Sequence, residues 1–189
     1  MAQLDAASFS RTALAAFPKS LHLAAAEAAT TLKPFVDDGY RIQTLQAIMA
    51  GQRLRIPKRI HFSNLDINEQ AVPMDVECAA CCLLTRATDG FVRQKALGQI
   101  LARNEPWVVP YVMLLSGEYV VEIAADMVAA FPALDRGAYA NFIRENRPLM
   151  RLLRAKASSY WNCYYRTSFP DRRAFPNLVF LNQVELWAS

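Results

Sequence analysis

Hydrophobic and polar positions along this chain recur mostly at helical spacing. After the turn signal Asp89-Gly90, residues 91–102 place Val92, Ala96, Leu97, Ile100 and Leu101 on one broad face, with Gln94, Lys95, Gly98 and Gln99 opposite. Arg93 points into the apolar face. A charge there calls for a partner, because an unpaired buried charge is costly. Asp89 is the first choice, with Glu118 and Glu122 as other partners. A weaker copy follows at 117–125, where Tyr119, Val120 and Ala124 match Phe91, Val92 and Ala96. In the copy Gly117 replaces Asp89 and Val121 replaces Arg93, so acid and base disappear together.

The same periodicity predicts Ala-rich helices over 4–17 and 21–32, separated by Pro18, and a third helix over 40–50 with Gly51 as its C-cap. Residues 54–62 alternate apolar and basic side chains around Pro57 and read as extended backbone, an edge strand or a strap. Residues 63–72 form a polar loop of the kind that often binds. Residues 74–87 are apolar nearly all round and predict a buried helix. Helices follow over 107–115 and 119–130, the latter expected to be central, and a degenerate pair over 139–145 and 149–160. Residues 177–187 read as a strand or a short helix that packs back onto the rest.

The run Asp89, Val92, Arg93, Ala96, Leu97 resembles the start of the second helix of HEAT-type helical repeats, over residues 76 to about 130. That resemblance implies a scaffold, adaptor or binding surface. With the periodicity it points to an all-α fold, a short HEAT-like superhelix of antiparallel helix pairs. One domain is expected over 1–189: an irregular N-terminal cap (1–52), an extended segment and loop (53–73), the repeats (74–160) and a C-terminal aromatic strap (161–189).

With 53% apolar and 20% charged residues, the chain can build a core. Its net charge of +4 excludes little, but its distribution matters. Between 133 and 174, Arg136, Arg144, Arg147, Arg151, Arg154, Lys156, Arg166, Arg172 and Arg173 face only Asp135, Glu145 and Asp171. No signal segment and no apolar run of membrane-spanning length is visible. Four cysteines without a spaced framework suggest reduced thiols and a cytoplasmic protein.

Candidate chemistry is sparse. Cys78, Cys81 and Cys82 share a helix face but lack a second ligand pair, so packing is favoured over zinc. Cys163 with His61 as base rests only on the presence of both. Glu118, Glu122 and Asp126 read as a solvated acidic stripe on one helix rather than a di-metal site. The preferred function is a non-enzymatic scaffold or adaptor that binds a protein and needs no cofactor or metal. Its surface would use Gln94, Glu118, Glu122 and Asp126, or the basic, aromatic C-terminal third with Arg147, Arg151, Arg154, Tyr160, Trp161, Tyr164, Tyr165 and Arg166. The alternative is a nucleic-acid binder that tracks phosphates with those arginines and stacks bases on those rings. An enzyme ranks third.

Overall fold

The computed structural model describes residues 6–37, 39–40, 42–63, 74–101, 103 and 105–189. These are mostly helical, with one two-stranded sheet. The chain divides into two compact units, Met1–Ala47 with Gln52–Ile100, and Ile48–Gly51 with Leu101–Ser189. The first expected repeat falls in the N-terminal unit and the second in the C-terminal one.

In the N-terminal unit, α1 (Ala6–Ala16) packs on α2 (His22–Leu32), and α2 packs on α3 (Met74–Leu84). Ala13, Ala16, Ala25, Ala28 and Ala29 are fully buried, and such small side chains let helix backbones approach closely. The helix expected over 40–50 does not form. Instead β1 (Thr44–Met49) pairs with β2 (Gln52–Pro57) through a tight turn at Ala50 and Gly51, whose φ angles are 48° and 74°. Two successive left-handed residues are what a two-residue hairpin needs, so Gly51 serves the turn and not a helix cap. Along β2, Leu54 and Ile56 face the core while Arg53 and Arg55 face solvent.

Beyond β2 the backbone stays extended. Ile60 bridges to Ala87 and Phe62 to Val36, so 54–62 is strand followed by strap. Two fully buried arginines hold this region. Arg86 donates Nε to Pro57 O (3.1 Å) and Nη2 to Lys58 O (2.9 Å). Arg93, on α4 (Gly90–Leu101), donates Nη1 to Ala87 O (2.9 Å) and Thr88 O (2.8 Å). Burial of Arg93 was expected together with an acidic partner; these two acceptors are backbone carbonyls. Asp89 Oδ1 accepts from the N–H groups of Phe91 (2.7 Å) and Val92 (3.4 Å) and caps α4. The α3 helix is buried, as its all-round apolarity predicts. The polar loop lies, apart from Ser63, outside the described residues.

In the C-terminal unit, α5 (Val109–Leu115) is buried along its whole length. The next helix, α6 (Val121–Ala129), starts later than expected and is amphipathic rather than central. Val120 is extended (ψ 103°), and Gly117 runs against α8, where a Cβ would lie 2.7 Å from Leu153 Cδ2. Asp135 caps α7 (Arg136–Glu145) by accepting from Gly137 and Ala138 N–H. Pro148 sits in the first turn of α8 (Arg147–Tyr160), where a missing N–H costs nothing. The segment left open as strand or helix is α9 (Pro176–Trp187), which packs on α6, α7 and α8. Strapping is therefore done by a core helix. The Ile48–Gly51 turn belongs to this unit. Asn146 grips the Ile48 backbone on both sides at 2.7 Å, and Glu145 accepts the Ala50 and Gly51 N–H groups at 3.0 Å.

Tyr139 packs edge-on against Phe180 and Trp187, and burial pushes its phenol well above its ordinary value of 10.0. Above pH 10 the unfolded chain loses this proton while the fold keeps it. Tyr139 should therefore contribute stability that is complete below pH 10 and falls by up to about 1.4 kcal/mol per pH unit above it. Chemical denaturation from pH 8 to 11 should show a shallower decline for Tyr139→Phe.

Candidate functional site

The surface richest in chemistry forms where α8 ends. Leu149, Met150, Leu153 and Ala157 bury one face of that helix, so the residues after them follow an anchored axis. At Trp161–Tyr165 the helix widens into a π-turn, a rare geometry often found at functional sites. Tyr160 and Tyr164 then stack at 6.3 Å between centroids with 29° between planes. Tyr119 joins them at 6.1 Å from Tyr160. The outer members of this three-ring ladder stay open, Tyr164 at 71% and Tyr119 at 52% exposure.

Tyr165 turns the other way and serves as the anchor. Its ring meets Phe169 and Phe175, and its hydroxyl donates to Tyr119 O at 2.6 Å. Desolvation and then the charge of Glu122 push its phenol up, which keeps it a donor. Trp161 is half-buried and donates Nε1 to Phe169 O (2.9 Å). The guanidinium of Arg166 lies 5.7 Å and that of Arg172 6.0 Å from its ring centroid, at cation–π distance. Arg172 also donates to Ser158 Oγ, and Arg166 to Asn162 Oδ1 at 3.3 Å.

The other predicted residues do not all join this surface. Arg147 and Arg151 are exposed on α8. Arg154 instead ties α8 to α9, donating to Glu185 Oε2 (2.6 Å) and Asn182 Oδ1 (2.9 Å). Glu122 and Asp126 are exposed on α6, but Glu118 lies before that helix and is buried, so the acidic stripe is broken. Gln94 is half-buried on α4, in the N-terminal unit. Tyr119 and Arg172 were missed as surface residues. Tyr119 had no sequence signal for this, because the 84% exposure of its repeat match Phe91 emerges only in the structure. Arg172 had none beyond charge.

The enzyme and metal readings gain no support. Cys78, Cys81 and Cys82 are buried, and desolvation, then hydrogen bonding with Cys78, pushes the Cys82 thiol well up. Such a thiol is a poor ligand and nucleophile. Among the described residues no group of three or more His, Cys, Asp or Glu is placed to hold a metal ion. The His61 ring stacks on Tyr40 at 3.7 Å, and Cys163 is exposed on the π-turn. A recess of about 580 Å³ beside α7 is lined by Asp135 and Glu145, both already used as cap and turn clamp. No described helix is long and apolar enough to cross a membrane. Comparisons with protein-family models, curated proteins and solved structures find no match.

Proposed function

We propose that this chain is a non-enzymatic helical interaction module, HEAT-like in its helix pairs and cytoplasmic, whose C-terminal unit docks a protein partner. The observation that carries this reading is the exposed Tyr119–Tyr160–Tyr164 ladder, held by Tyr165 and flanked by Trp161 with Arg166 and Arg172 at cation–π distance. Tyr, Trp and Arg dominate binding energy at protein interfaces, and rings fixed in advance lose little entropy on docking.

A photo-crosslinker placed at Ser159, exposed beside the ladder, should capture the partner. Tyr119→Ala with Tyr164→Ala should then weaken the purified complex by about 2–4 kcal/mol in calorimetry while leaving the melting temperature unchanged. Unchanged affinity would remove the ladder from the interface.

A second reading, a single nucleic-acid strand on the same surface, draws on the exposed Arg147 and Arg151. It is the weaker one because Arg154 is already neutralised by Glu185 and the Trp161 ring already has two guanidinium groups at cation–π distance. Salt-sensitive retention of RNA or DNA lost on Arg147→Gln with Arg151→Gln would promote it.

A further inference from the structure

The N-terminal unit carries a separate basic groove of about 570 Å³, far from the chemistry so far described in sequence and in kind. Its apolar lining is the half-buried Leu14 and the exposed Ala15, with Phe17 and Leu54 buried beneath them. Its rim carries Arg11 from α1, Lys19 from the short turn before α2, and Arg53 and Arg55 from β2. All four are exposed, and among the described residues none of them is ion-paired and no acidic side chain lines the groove.

Local structure explains why the charges converge. The period of two along β2 puts Arg53 and Arg55 on the same face, their Cα atoms about 6.8 Å apart. The Lys19 N–H donates to Gln52 Oε1 at 3.0 Å, which pins the turn before α2 to the start of β2. His22, the first residue of α2, also lines the groove. That helix opens with no capping side chain and no acid in its first turn, so its positive dipole end adds to the same field. Like charges gathered without a counter-charge among the described residues gain nothing for the fold and suit an anion.

We infer that this groove binds the phosphate backbone of a single-stranded nucleic acid. Guanidinium forks match phosphate oxygens, and two arginines in register along a strand meet successive phosphates. Leu14 and Ala15 offer a small apolar patch to a sugar or base edge. A groove with its cations on the rim suits a strand lying in it better than a flat bilayer laid across it. The inference stands apart from the ladder of the other unit.

The test is fluorescence anisotropy of the full-length protein with a short labelled oligothymidylate and its ribose counterpart. Binding should weaken with salt, with a log–log slope of about −2.8 for four phosphate contacts, falling to about −1.4 in Arg53→Gln with Arg55→Gln. That variant should bind at least about tenfold more weakly at low salt, with its far-UV spectrum and melting temperature retained. Lys33→Gln, an exposed cation of the same unit outside the groove, should bind as the parent does. The inference is overturned if no strand binds at low salt, or if the double variant binds unchanged. It is equally overturned if Arg147→Gln with Arg151→Gln alone abolishes binding, or if phosphatidylserine vesicles are bound and the oligonucleotide is not.

Discussion

Removal of residues 176–189 should unfold the C-terminal unit. The α9 helix carries Leu178, Phe180, Leu181 and Val184, all fully buried. At roughly 1.5–3 kcal/mol each, these four side chains contribute about 6–12 kcal/mol, comparable to the whole stability of a typical domain. Deletion also strips Phe131 and Tyr139 of their ring partners Phe180 and Trp187, and Arg154 of Glu185. Asn177 goes too, whose Nδ2 holds the Ser116 and Glu118 carbonyls at 2.9 Å. The truncated chain should be insoluble, or should show protease cleavage throughout 105–175 and loss of the cooperative thermal transition. A truncated protein with its parent's melting temperature would mean that α9 is an appendage. Leu186→Ala, at an exposed position of the same helix, should be nearly silent.

Arg93→Ala should cost about 3 kcal/mol. The loss has two sources. Two carbonyls, Ala87 O and Thr88 O, lose a charged donor at about 1–3 kcal/mol each, and the stem leaves a void beneath a side chain only 1% exposed. Arg93→Met separates the two sources, because it refills the void without restoring the donor. It should recover less than half of the loss if the hydrogen bonds dominate. Urea denaturation gives the total, and hydrogen exchange at the Thr88 N–H, which donates to Ile60 O, gives the local effect. A cost under about 1 kcal/mol for Arg93→Ala would show that the carbonyls find water and that the arginine is not a clamp.

The contrast between Arg93 and Asp89 illustrates what sequence patterns carry. Helical phase alone places Arg93 inside, because 100° per residue leaves it no other direction. Its partner was not legible in the same way. Asp89 lies in capping position for α4, where two local N–H groups compete for its carboxylate and win. A cap is satisfied within three residues, whereas a bond between side chains must wait for packing.

The candidate surface divides along the same line. That Tyr160 and Tyr164 share a side followed from their spacing. That Tyr119 completes the ladder did not, since it is brought there by Tyr165 reaching its carbonyl from 46 residues away. Arg147, Arg151 and Arg154 fall on one quadrant by spacing, yet only the position of Glu185 on α9 withdraws Arg154 from solvent contact with a ligand.

Periodicity by itself determined that this chain is mostly helical, that α3 is buried, that 54–62 is extended and that the residues after α8 bring aromatics together. Those features depend on the direction of each side chain relative to its own backbone, which local dihedral angles set. Tertiary structure alone decided that 40–50 is half of a hairpin. Ile42, Leu45, Ile48 and Met49 suit a helix face, but a strand partner and the Asn146–Glu145 grip on the turn outweigh that preference and hold Ala50 at a positive φ. Tertiary structure also decided that 177–187 is helix. An apolar run of that length fits either state, and only packing against α6, α7 and α8 rewards the one that satisfies its own backbone hydrogen bonds.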